Sequence, residues 1–153
     1  MAGIGGRFNA GSESDIKPSF LALYTSVESA AALLEAVRHL GYRSADARAV
    51  VALDDIAMRV MTQLQVTLRR VFDWRLDPHF SDGLSAVSYR QTQQLAAAAF
   101  IAGAEGILVP SATGIDANLV VFADHLGENS RIEVVRQITD LQPIITSLAG
   151  DAP

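Results

Sequence analysis

The chain has 153 residues and a formal net charge of −5; half of its residues are hydrophobic and 19% are charged. That is one ordinary domain with enough apolar residues for a single sizeable core, and it excludes a disordered or solvating chain. The negative balance argues against phosphate-backbone binding as the main task, and the absence of cysteine excludes a disulfide scaffold, a thiolate zinc site and a thiol nucleophile.

Along the chain, residues 1–19 are rich in Gly and Ser and read as a loop. The start carries no apolar run behind a basic stretch, so no signal peptide is visible. Residues 20–24, Phe-Leu-Ala-Leu-Tyr, form the first expected strand, with Leu21 and Leu23 on one side and Ala22 and Tyr24 on the other. Residues 25–40 predict a helix. Thr25 and Glu28 have capping-box spacing, Val27, Ala30, Ala31, Leu34 and Val37 share a stripe, and Gly41 is placed as the stop. Glu35 lies roughly 100° from Leu34, at the border of that stripe.

Residues 49–53 read as another strand, and residues 60–71 are ambiguous between helix and strand. Residues 72–84, with Pro78 and Gly83, look irregular. Residues 91–102 predict a helix with Leu95, Ala98, Ala99 and Ala102 inward, ended by Gly103 and Gly106. The apolar runs 107–109 and 119–122 predict buried central strands joined by a turn at 111–117. Residues 131–138 alternate as a last strand, and the tail from Leu148 is expected to be loose. Few long helices and several short strands imply a compact α+β domain. The most apolar window, residues 95–110, is interrupted by Gly103, Glu105 and Gly106, so no membrane span is expected. A cysteine-free chain of this kind fits a cytoplasmic location.

Several motifs are missing. There is no phosphate-binding GxxxxGK[ST] loop, no HExxH and no GxSxG. Gly3, Gly5 and Gly6 follow no strand, which makes a dinucleotide-binding Rossmann turn a poor reading. His39, His79 and His125 are scattered without ligand spacing, so no metal is expected. Arg69, Arg70, Trp74 and Arg75 could touch a phosphate or nucleic acid. In an acidic chain they read better as a solvated face, and no direct nucleic-acid partner is expected.

Four segments in order carry a more specific signal: Gly5-Gly6-Arg7-Phe8-Asn9; the strand ending at Tyr24; the helix carrying Glu35; and Glu105-Gly106-Ile107-Leu108-Val109-Pro110-Ser111 followed by Asn118-Leu119-Val120-Val121-Phe122. Over about residues 3–138 this order resembles the RES domain, named for Arg, Glu and Ser. The resemblance implies a fold similar to ADP-ribosyltransferase toxins, with a split, twisted β core flanked by helices. It implies a toxin that consumes NAD⁺ as substrate. It also implies an antitoxin partner with a helix-turn-helix DNA-binding region, whose inserted segment blocks the NAD⁺ cleft. Some such proteins transfer ADP-ribose to a protein, so a mono-ADP-ribosyltransferase with a host protein acceptor is the leading expectation. Release to water or phosphate is the rival. A catalytically weak module that binds a nucleotide or a partner is the third reading.

The residue types suit that chemistry. Cleaving the nicotinamide–ribose bond passes through an oxocarbenium-like transition state, and the leaving group is already cationic, so no general acid is required. Glu35 is the candidate to hold the ribose 2′-hydroxyl and stabilise the developing positive charge. The resemblance gives Arg7 the pyrophosphate, which its guanidinium fork suits. Tyr24 would stack on or brace the nicotinamide, Ser111 would bond phosphate or ribose, and Asn118 would hold a neighbouring loop or reach the ligand. Taken singly, Arg7 reads as a loop charge, Tyr24 as a boundary aromatic, Glu35 equally as a surface charge, and Ser111 and Asn118 as turn residues. The order of the segments is what reverses those readings.

Such proteins usually carry a further arginine upstream of the Gly-Gly-Arg block. This chain begins only a few residues before that block, so either it is trimmed there or this branch lacks the element. The expected organisation is one RES domain over residues 1–153, with the polar run 12–19 as an inserted loop.

Overall fold

The computed structural model describes residues 5–43, 59–80, 87–114 and 116–150. The elements are β1 (Ala22–Ser26), α1 (Ser29–Arg43), β2 (Met61–Thr67), β3 (Val71–Asp73), α2 (Tyr89–Ile101), β4 (Gly106–Pro110), β5 (Ala117–Phe122), β6 (Arg131–Ile138) and α3 (Gln142–Gly150). The β core is split. One sheet has the order β1-β5-β4-β3, and a separate pair joins β2 to β6. Together with the flanking helices this is the α+β architecture expected from the sequence.

In the larger sheet β1, β5 and β4 run antiparallel, with Tyr24 opposite Val120, Ser26 opposite Asn118 and Val109 also opposite Asn118. The short pair β3–β4 is parallel. Parallel neighbours need a crossover, and α2 supplies it. Side chains alternate across the pleat. One face of the sheet therefore carries Ala22, Tyr24 and Ser26 from β1, Asn118, Val120 and Phe122 from β5, and Ile107 and Val109 from β4. This face packs on Ala96, Ala97 and Ala99 of α2, on Phe8, Phe20 and Phe80. Small residues on α2 let the helix lie close to the sheet. Phe20 stacks on Phe100 at 4.6 Å and meets Phe122 edge-on at 4.8 Å. Such pairs add about 0.5–1.5 kcal/mol each beyond their burial.

Helix α2 is well punctuated. Ser88 and Gln91 form a reciprocal capping box, satisfying two otherwise orphaned N–H groups. At the other end Gly103 has φ of 78°. Its N–H donates to Phe100 O, and Ala104 N–H donates to Ala99 O. This is a Schellman closure, which glycine makes without Cβ strain. Glu105 follows, buried. Its carboxylate accepts from the Arg69 N–H at 2.6 Å, which holds it below the usual carboxylate range.

Several expectations need correction. The first strand runs two residues later than expected, through Thr25 and Ser26, and α1 starts at Ser29. The Thr25–Glu28 capping box does not form. Thr25 belongs to β1, and its hydroxyl donates to Leu119 O across the sheet. Val27 is exposed and precedes the helix, while Leu33 is buried in place of the expected Leu34 stripe. The reason is tertiary. Leu33 packs with Leu141, Ile144, Ile145 and Val37, because α3 lies beside α1. The tail from Leu148 was expected to be loose, yet α3 runs to Gly150. Gly41 does not stop α1, which continues to Arg43. On α2 the buried positions are Thr92, Ala96, Ala97 and Ala99, and Ala98 and Ala102 face outward. The ambiguous 60–71 stretch forms β2 and the start of β3. The strand expected at 49–53 lies outside the described residues, as do positions 81–84 of the irregular stretch. Among the described residues no helix is long and apolar enough to cross a membrane.

Candidate active site

The site builds up from the end of the larger sheet. Strand β4 ends at Pro110, and a turn returns the chain to Ala117, with Ser111 N–H donating to Asp116 O and Gly114 N–H donating to Ser111 O. This turn and the start of β5 form a ring of donors. Glu35 projects into it from α1, one turn after the fully buried Ala31 and on the same helix face. Its Oε1 accepts from Ser111 Oγ at 3.0 Å, from the Ala112 N–H at 3.1 Å and from Asn118 Nδ2 at 3.1 Å. Ser111 is buried and also bonds Thr113 Oγ1 at 2.7 Å. Asn118 is oriented from its other side, where its Oδ1 accepts from Ser26 Oγ at 2.8 Å. Glu35, Ser111 and Asn118, singled out separately in the sequence, are thus one hydrogen-bonded cluster. All three bonds fall on Oε1, and among the described residues none reaches Oε2.

Arg7 and Tyr24 make a second cluster. The Tyr24 hydroxyl accepts from the Phe8 N–H at 2.8 Å and donates to Asn9 Oδ1 at 2.6 Å. Asn9 closes the loop by accepting from Gly6 N–H through both its backbone O, at 2.8 Å, and its Oδ1, at 3.1 Å. Gly6 is required here because a Cβ would come within 2.6 Å of the tyrosine hydroxyl. Burial of the hydroxyl end pushes the Tyr24 phenol up to about 12, although the residue as a whole is 44% exposed. The loop engages the hydroxyl through Phe8 and Asn9. Tyr24 is therefore a neutral phenol at ordinary pH, and its hydroxyl already serves the loop.

The same loop is fastened to the first turns of α2. Thr92, fully buried, donates to Arg7 O at 2.6 Å, and Gln93 Nε2 donates to Gly6 O at 2.8 Å. The Arg7 guanidinium donates to Val87 O at 2.9 Å and lies 4.4 Å from the centroid of the Tyr89 ring. Stacking on the aromatic face restricts the orientation of the guanidinium plane.

The sheet links the two clusters. Tyr24 and Ser26 share one face of β1, two residues and about 7 Å apart, and Ser26 touches Asn118, which touches Glu35. All five residues chosen from the sequence thus fall along one connected series at one side of the larger sheet. Four further residues do structural work there: Asn9, Ser26, Tyr89 and Thr92. Asn9 lies inside the Gly-Gly-Arg-Phe-Asn block, so its presence was visible but its role was not. For Ser26, Tyr89 and Thr92 the sequence carries no local signal, because each acts on a partner at least 82 positions away. Among the described residues no group of three or more His, Asp or Glu could hold a metal ion.

Residues 2–143 match the family described as the RES domain. A search of curated proteins gave no match. Among solved structures, the fold is similar to a chain of the structure described as the crystal structure of the M. tuberculosis MbcT–MbcA toxin–antitoxin complex. The TM-score is 0.69 at 20% sequence identity, covering 94% of this chain and 75% of that one. At that identity the likeness speaks for the fold. The family match spans nearly all of the sequence and contains every residue of both clusters, so the chain belongs to the RES domain family.

Proposed function

We propose that this chain is the toxin of a toxin–antitoxin pair and that it cleaves NAD⁺ between nicotinamide and ribose, passing ADP-ribose to a protein acceptor. The C1′–N bond breaks and its electron pair leaves with nicotinamide, which departs neutral; a nucleophilic atom of the acceptor bonds C1′ in its place and releases its proton to solvent. Positive charge builds on the ribose ring, and Glu35 stabilises it while Oε2 accepts the 2′-hydroxyl proton in a hydrogen bond. The observation that carries this reading is the way Glu35 is held: three donors fix Oε1, so Oε2 is presented in a set orientation. Preorganised charge of this kind needs no rearrangement as the transition state forms. Arg7, oriented by Val87 O and Tyr89, would take the pyrophosphate. The Tyr24 ring would flank the nicotinamide, and its hydroxyl would stay on the loop. Ser111 and Asn118 act on Glu35 and line the ribose side.

The antitoxin, which would carry a helix-turn-helix DNA-binding region, would cover the NAD⁺ cleft. The chain and its acceptor would meet in the cytoplasm. The test is nicotinamide release from NAD⁺. Wild type should turn over, and Glu35→Ala should not; equal rates would remove Glu35 from the mechanism. Labelled NAD⁺ with cell lysate then separates the acceptors: a labelled protein band means transfer, free ADP-ribose means hydrolysis, and phosphate dependence means phosphorolysis. Expression of the chain alone should arrest growth, and co-expression with its partner should relieve the arrest.

A further inference from the structure

We infer that Ser26 is a positioning residue of the site, holding the Asn118 side-chain amide so that its NH₂ faces Glu35. The inference rests on the NAD⁺-cleaving reading for its consequence but on geometry for its content. Ser26 is the last residue of β1, directly opposite Asn118 on β5, and both side chains rise from the same face of the sheet. Ser26 Oγ donates to Asn118 Oδ1 at 2.8 Å, and Asn118 Nδ2 donates to Glu35 Oε1 at 3.1 Å.

The amide can bond the carboxylate in only one sense. With the amide reversed, Oδ1 and Oε1 would face each other as two acceptors, which repel. Glu35 therefore selects the NH₂ end, and Ser26 satisfies the remaining carbonyl. Without the hydroxyl, that half-buried carbonyl loses its partner. It regains one by turning toward water, and the turn draws Nδ2 away from Glu35. One of the three donors on Oε1 is then lost, and the direction in which Oε2 points is no longer fixed. The Ser26 hydroxyl bonds Asn118, and Asn118 in turn bonds the carboxylate, so the effect of Ser26 passes through Asn118.

The experiment compares Ser26→Ala, Ser26→Thr and Ser26→Val, in the wild-type background and with Asn118→Ala. Threonine and valine have nearly the same shape, and only threonine keeps the hydroxyl. Nicotinamide release should fall about tenfold in kcat for Ser26→Ala and Ser26→Val, with KM nearly unchanged, and Ser26→Thr should restore it. In the Asn118→Ala background the alanine and threonine variants should agree within about twofold, because the residue through which Ser26 acts is gone.

A second readout does not depend on catalysis. Hydrogen exchange of the Asn118 side-chain amide, followed by NMR, should be faster in Ser26→Ala and Ser26→Val and unchanged in Ser26→Thr. If wild type releases no nicotinamide, the NAD⁺ reading fails, and the exchange data still decide the role of Ser26. The inference is overturned if Ser26→Ala leaves the Asn118 amide unchanged. It is also overturned if threonine and valine behave alike, or if the loss on Ser26→Ala is as large without Asn118 as with it.

Discussion

Glu35 is gripped by the end of a sheet, whereas Arg7 rides on a loop tied down by side chains of other elements. The donors to Glu35 belong to the β4–β5 turn and to the second residue of β5. Their positions follow from the strand register. Slipping that register by one residue would turn every side chain over, including Val120 and Phe122 in the core. The Arg7 loop depends instead on Tyr24, Thr92 and Gln93. Each such bond contributes about 1 kcal/mol. The difference suits the two tasks that the proposed reaction would set: a rigid carboxylate where charge would develop, and a guanidinium that would only have to capture a flexible diphosphate. Defects in the first region should appear in kcat, and defects in the second in KM.

The largest expected effect is at Glu35. Glu35→Gln keeps the shape and removes the charge, and kcat for nicotinamide release should fall about 10²–10³-fold. A change confined to KM would break the comparison at once. Next comes Arg7→Lys, which keeps the charge but loses the planar fork and the stacking on Tyr89. KM for NAD⁺ should rise about tenfold or more, with kcat changed far less. Steady-state kinetics of the two variants side by side checks both.

Tyr24→Phe sharpens the comparison, because Tyr24 lies between the regions. It leaves the Phe8 N–H without its partner and should cost about 1–2 kcal/mol of stability in denaturant unfolding. It should raise KM a few-fold while sparing kcat. A fall in kcat like that of Glu35→Gln would instead place the phenol at the ribose.

The smallest effect is at high pH. The folded phenol is raised to about 12 from the ordinary 10. The native state thus holds its proton longer than the unfolded chain does. That contribution is complete below about pH 10 and is lost as pH rises toward 12. Unfolding curves across this interval should drop more steeply for wild type than for Tyr24→Phe.

The sheet face that carries the site was legible in part. The continuous apolar runs at 107–109 and 119–122 predict buried central strands, and β4 and β5 are those strands. Alternation placed β6 at its observed bounds. The face of α2 was less legible. An alanine-rich helix gives little contrast between inward and outward positions, so the rotation of Ala98 and Ala102 to the outside waited on packing. The 25–28 segment misled for a different reason. Its capping-box spacing is a local signal, and Thr25 found a better partner in Leu119 O across the strand pair.

By itself the sequence determined the order of the motif segments, the chemistry each side chain can offer, and the α+β class. Those follow from residue type and local periodicity. Only the tertiary structure decided that Glu35, Ser111 and Asn118 share one oxygen, that the Tyr24 hydroxyl belongs to the Arg7 loop, and that Ser26 turns Asn118 toward the carboxylate. Those contacts join residues far apart along the chain. Strand register and helix packing, which no local window contains, set their distances.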